Sequence, residues 1–244
     1  GSAMLIDAGG IVGSPVDVGE RVVAPLLRAR RRDALRTVVL SHPHPDHYGG
    51  LERGLLAVRV SEAWDTGQGE REGTGGAYAT FLATTRAAGA RVLRPSELCG
   101  AREIGGARVE VLAPCPSPSP DRGPNDNSLV VRISFGRRSF LFVGDAEHEE
   151  EADLVRLPRD RLRADVLKVG HHGSRTSSSA AFIAAVAPVE AVVSSGVRNR
   201  FGHPAPTTLG TLASAGTRVW RTDRVGAVVA ETDGDTLVVR PSAL

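Results

Sequence analysis

Short apolar runs rich in β-branched residues recur along the chain, and between them lie stretches with apolar side chains three and four apart. The first period predicts strands and the second helices. MLIDAGG (4–10) reads as a buried strand ending in a glycine turn, and 17–31 as a helix whose basic end suits the helix dipole. Strands are expected at 37–41, 58–64 and 91–95, a helix over 48–58 and another over 77–89. GQGEREGTGG (67–76) reads as a flexible loop. REIGGARVEVLAP, SLVVRISF and RSFLFVGD form successive strands joined by Gly-Gly and Gly-Arg turns. From residue 147 the pattern alternates: helices at 147–156, 177–187 and 206–216, strands at 165–169, 190–195 and 217–222, then two closing strands. Strands first and alternation afterwards imply an α/β chain with a mixed sheet core and helices outside.

PCPSPSPDRGP (114–124) is read as a surface loop, because strands continue on both sides without a change of composition. Gly1, Ser2 and Ala3 read as a cloning scar, which leaves one domain over 4–244. Apolar content of 41% allows a sizeable core, and with aromatics at 4% that core is aliphatic. The net charge of +2 is compatible with an anionic partner. No apolar run reaches 18 residues, so no membrane-spanning helix is expected. Cys99 and Cys115 form no CxxC pair and suggest neither a disulfide framework nor a thiolate metal site. Of the 30 basic residues Lys168 alone is lysine, a compact charge among planar guanidiniums.

The chemistry concentrates in SHPHPDHYGG (41–50). Alternate residues of an extended segment share a side, so His42 and His44 can face one ion, and Pro43 and Pro45 favour that extension. Asp46 and His47 follow at the start of the next helix, turned toward a second position. Imidazoles with a carboxylate suit Zn, Mn or Fe. Asp145 ends an apolar strand, either as a bridge between two cations or as a helix N-cap. His171 and His172, in LKVGHHGS, again follow a strand directly. His203, in RNRFGHP, has Arg198 and Arg200 nearby and is either a phosphate-binding group or an ordinary loop histidine. His148 sits among acidic residues and reads as a solvated surface group. NDNS (125–128) is a turn or lines the site, and RARRR (28–32) is a solvated helix end or a nucleic-acid patch.

Taken in order, Asp7 after the first strand, HPHPDH, the strand-end Asp145 and a late strand-end histidine resemble the metallo-β-lactamase superfamily. LSHPHPDHYGGL, NDNSLVVR, FVGDAE, ADVLKVGHHGSRTSSS, RNRFGHP and RTDRVGAV are similar, over nearly the whole chain, to the hydrolase domain at the C-terminus of ComEC-type competence proteins. The resemblance implies an αββα four-layer sandwich lacking one or two N-terminal strands. It also implies two divalent ions, Zn or Mn. His42 and His44 match ligands of the first, Asp46 and His47 of the second, Asp145 the bridge and His172 the last ligand. His171 becomes either a residue that supports the ligands from behind or one that contacts the substrate, and Lys168, His171 and His203 are candidates to hold the substrate phosphate. PNDN stands where many relatives place a further histidine, which leaves the first ion fewer protein ligands.

The implied reaction is cleavage of a phosphodiester, most simply by a DNA nuclease linked to DNA uptake. A membrane channel domain of the same transporter is a possible partner, and this domain itself inserts in no membrane. Two rival readings are a small-ester hydrolase of phosphorylcholine esterase or lactonase type, and a catalytically silent module that binds metal or DNA.

Overall fold

The computed structural model describes residues 2–10, 16–72 and 76–242. Gly1 of the expected cloning scar and Gly73–Gly75 of the expected loop at 67–76 lie outside them. The chain divides into two compact units, one of residues 1–99 with 114–129, the other of 100–113 with 130–244.

The first unit holds a four-stranded, all-parallel sheet. Its strands, in spatial as well as chain order, are β1 (Met4–Ile6), β2 (Ala34–Val39), β3 (Arg59–Trp64) and β4 (Arg91–Leu93). Parallel neighbours need crossover connections, and helices supply them. A π-helical turn (Gly19–Val23) running into α1 (Ala24–Ala29) joins β1 to β2. α2 (Pro45–Tyr48) and α3 (Leu51–Gly54) join β2 to β3, and α4 (Gln68–Glu72) and α5 (Gly76–Ala87) join β3 to β4. The helix α4 corrects the expectation of a plain loop: Thr66 Oγ1 accepts the Gln68 amide at 3.3 Å at its start, so a glycine-rich segment still closes one helical turn. A last short helix, α6 (Pro95–Leu98), follows β4. The core is aliphatic with a few rings: Leu35, Val38 and Leu40 pack with Leu51, Tyr78 and Leu82.

In the second unit the seven-stranded sheet has two halves. β5 (Gly100–Ile104), β6 (Ala107–Ala113), β7 (Val130–Phe135) and β8 (Arg138–Phe142) form an antiparallel meander. β9 (Val166–Lys168), β10 (Glu190–Val193) and β11 (Arg218–Arg221) then extend it in parallel. α7 (His148–Val155), α8 (Arg159–Leu162), α9 (Ala180–Val186) and α10 (Pro206–Ser214) fill the crossovers. Alternate residues along these strands and just past their ends, Leu141, Val143, Leu167, Val169, Ala191 and Val193, share one core with Leu154, Phe182, Ile183 and Leu212 of those helices. α11 (Thr222–Val225) leads to the closing strands β12 (Val228–Thr232) and β13 (Leu237–Pro241), which pair only with each other among the described residues. Their turn is tied down where Arg137 N donates to Gly234 O at 2.7 Å and Arg138 Nε to Asp235 O at 2.7 Å.

The cysteines correct the sequence reading. Cys99 and Cys115 form a disulfide, with their Cα atoms 5.8 Å apart. They flank the β5–β6 hairpin, so the two antiparallel strands bring the chain back to its starting point. That return is a tertiary event with no signature in cysteine spacing. The 114–124 segment is a loop, as expected. It folds around the buried side chain of Asn127, whose Nδ2 donates to Ser119 O, Arg122 O and Gly123 O at 2.9–3.1 Å.

Candidate functional site

In the first unit, the chemistry gathers at the carboxyl ends of β1 and β2. Two glycine pairs make this possible. Gly10 has φ 112°, and a Cβ on Gly50 would lie 2.5 Å from Ala8 O. Without side chains the two backbones close together: Ala8 N donates to His47 O and Gly50 N to Gly9 O, both at 2.8 Å. That contact sets Asp7 beneath the histidine loop. Asp7 Oδ1 accepts the Ser41 amide and Oδ2 accepts Ser41 Oγ, each at 2.8 Å. Its Oδ2 also faces His47 Nδ1 at 2.8 Å. Burial alone would raise the Asp7 carboxyl. The His47 ring, the Ser41 amide and the field of His42 outweigh burial and hold the group below its ordinary range.

An ionised Asp7 makes His47 Nδ1 the donor, the orientation a second carboxylate gives to a metal-binding imidazole. Ser41 Oγ lies 3.1 Å from His42 Nδ1 and serves that ring in the same way. The other nitrogen, His42 Nε2, faces His44 Nδ1 at 3.0 Å. Ligand atoms bound to one ion at about 2.0–2.1 Å lie about 3 Å apart, so this pair of nitrogens fits a single cation. His44 is extended (φ −96°, ψ 144°) and precedes Pro45 at the start of α2, as the prolines predict. Asp46 is exposed in the first turn of that helix.

The second unit repeats the logic at the carboxyl ends of β8, β9 and β10. His171 and His172 adopt φ 44° and 53°, left-handed values that side chains with a Cβ rarely take, and Gly173 follows at φ 82°. Such strain persists where the surroundings hold it. Here His171 Nδ1 donates to Glu147 Oε1 at 2.7 Å, and His172 Nδ1 to Ser194 O at 2.9 Å. Both rings turn Nε2 toward Asp145 Oδ2, at 3.8 Å for His171 and 3.6 Å for His172. Glu147 Oε1 also accepts Thr176 Oγ1 at 2.6 Å. His203 lies beside them, its ring centroid 5.7 Å from that of His171. Burial, then the fields of His171 and His172, pull its imidazole below the ordinary range; Asp145 opposes this and Arg175 adds to it.

The residues named from sequence thus fall into two sets. His42, His44, Asp46 and His47 share one loop of the first unit. Asp145, His171, His172 and His203 assemble in the second. Lys168 ends β9, three residues before His171, and its Nζ is screened from solvent without a hydrogen-bond partner among the described residues. Asp145 does not cap α7: the N-cap is Glu147. His148 is exposed, as expected, but its neighbours Glu150 and Glu151 are buried. Sequence reasoning gave no role to Ser41, Glu147 or Thr176. Their only signal was adjacency to the motifs, since Glu147 and Thr176 act on side chains distant in the chain and Ser41 also binds the distant Asp7. It also passed over Asp65, fully buried after β3 and held by Tyr78 Oη, Arg94 and the Gly67 amide.

The family whose sequence pattern matches the chain is the metallo-beta-lactamase superfamily, over residues 1–197. The chain belongs to this superfamily. Metallo-β-lactamase superfamily members are generally metal-dependent hydrolases. This member is similar to ComE operon protein 3 of Bacillus subtilis (strain 168), 30% identical over 248 residues, covering 92% of this chain and 29% of that protein. It is also similar to competence protein ComA of Neisseria gonorrhoeae, 31% identical over 214 residues and covering 84% and 26%. The chain therefore spans under a third of the length of these relatives. CmlA, a diiron beta-hydroxylase from Streptomyces venezuelae, has a related fold, with a TM-score of 0.51 and 17% identity over 77% of this chain and 44% of that one. At that identity the likeness concerns the fold alone. No helix among the described residues is long and apolar enough to cross a membrane.

Proposed function

We propose that this superfamily member is a metal-dependent phosphodiesterase that cuts DNA. One observation carries the metal part of the reading: the paired nitrogens of His42 and His44, 3.0 Å apart, with the opposite face of His42 committed to Ser41. The DNA part is supported by the similarity to competence proteins. We assign His42, His44, Asp46, His47, Asp145 and His172 as ligands of two divalent ions, Zn or Mn. Such ions supply Lewis acidity, which polarises phosphoryl oxygens and makes water acidic near neutral pH.

The chain's own residues do the rest. Asp7 and Ser41 fix the histidine rings of the first set, and Glu147 and Ser194 those of the second. Asp46 orients the attacking water in line with the scissile P–O bond. His171 and His203 hold the phosphate. Lys168 is given the same task because it is the lysine at the end of β9; its support is that place alone.

The test is cleavage of single- and double-stranded DNA by the metal-stripped protein after reloading with Mn or Zn. Cleavage that needs the ion and falls steeply with salt is the expected result, since a polyanion loses affinity as counterions compete. Hydrolysis confined to small esters, with no salt dependence, would overturn the nuclease reading. A reloaded protein that binds DNA and turns nothing over would do the same.

A further inference from the structure

We propose that Phe201 is a stacking platform for a nucleobase, placed so that the site takes a single-stranded nucleic acid beside His203 and His171. The inference rests on the phosphodiester reading only for what happens to the strand afterwards; the binding it claims stands by itself.

Phe201 is a large apolar side chain left 66% exposed, on the loop after β10. Its ring lies nearly parallel to that of His203, 16° between planes and 5.8 Å between centroids. The His203 ring in turn is 5.7 Å from that of His171. Three rings therefore step from solvent to the histidine whose Nε2 faces Asp145.

The loop is braced rather than loose. Asn199 Oδ1 accepts the His203 amide at 2.9 Å, and Asn199 Nδ2 donates to His203 O at 2.7 Å and Gly196 O at 3.0 Å. A ring held out on a braced loop loses little freedom when a base lands on it.

Charge agrees with this placement. The Arg200 guanidinium carbon is 5.1 Å from the Phe201 centroid. Arg198 and Arg200 are both exposed, and neither is paired with a carboxylate among the described residues. A guanidinium lying over the ring is a planar cation that can stack on a base and meet its phosphate. A small ester reacting near Asp145 would not extend to a ring two steps away. A strand of nucleotides would, and its base must be unstacked from its neighbours to offer a face, which selects single strands.

The test titrates the full chain with a fluorescein-labelled oligodeoxynucleotide, single-stranded or annealed to its complement, with EDTA present to stop cleavage. Wild type, Phe201→Ala and Phe201→Trp are compared by fluorescence anisotropy. The side chain is exposed, so neither change is expected to disturb the fold. Phe201→Ala is expected to bind the single strand about tenfold or more weakly, Phe201→Trp to bind as wild type, and duplex affinity to stay put. Single-strand binding unchanged in Phe201→Ala, a tryptophan variant as weak as alanine, or equal losses on single strand and duplex would each overturn the proposal. So would a wild type that binds no single strand. Metal-dependent cleavage is read separately. Protein that cleaves but ignores the loss of Phe201 sinks this inference and spares the nuclease reading. Protein that binds through Phe201 and cleaves nothing does the reverse.

Discussion

His47 Nδ1 lies 2.8 Å from Asp7 Oδ2, across 40 residues of chain. The contact turns a strand-end carboxylate into the residue that sets which imidazole nitrogen of His47 donates. Asp7→Asn keeps the size of the side chain and removes the negative acceptor. The fold should survive, and affinity for Zn or Mn should fall roughly 10–100-fold. Competition against a chromophoric chelator measures it, and an unchanged affinity would take Asp7 out of the site.

Asp46 occupies the first turn of α2, exposed between His44 and His47. Asp46→Ala should lower DNA cleavage by about 10²-fold or more. It should cost the metal-free protein little stability, because no core contact is lost. His148→Ala, equally exposed, is the matched control and should cut at the wild-type rate. Full activity in Asp46→Ala would dismiss the assigned mechanism.

The Cys99–Cys115 bond closes a segment with a sequence separation of 16. Restricting the unfolded chain over a loop of that length is worth about 3 kcal/mol. The Cys99→Ser, Cys115→Ser double variant should show that loss in denaturant unfolding, with an unchanged fold. A thiol assay on the unreduced, unfolded wild type should find no free sulfhydryl. Two titratable thiols would contradict the pairing.

Glu151 is buried on α7 and accepts the backbone amides of Ser178 and Ser179, the segment that follows the His-His turn. Glu151→Ala strands both donors and should destabilise by roughly 2–4 kcal/mol. Burial raises the Glu151 carboxyl, against the lowering effect of those hydrogen bonds and of His148. The folded state then holds the proton more tightly than the unfolded chain. Its contribution to stability is complete at low pH and declines as pH rises from 4.5, the carboxyl's ordinary value, through the raised one. Glu151→Gln has no proton to release, so the stability of wild type relative to this variant should decrease over that span. A difference independent of pH would rule out the raised carboxyl.

Much was legible in the chain before any fold was known. Periods of two and of three to four gave the run of strands and helices, because a side chain's burial is set by its local geometry. The prolines around His44 gave the extended loop, because their rings constrain the backbone on the spot. Motif order was enough to assign the superfamily.

Other features needed the tertiary structure, because they join residues that only folding brings together. Asp7 reaches His47 across 40 positions of chain and Glu147 reaches His171 across 24, with no shared pattern in either pair. The disulfide depends on a hairpin returning the chain to its start. Which nitrogen of His47 and of His171 donates was decided by those partners, since an imidazole carries both possibilities until a neighbour takes one.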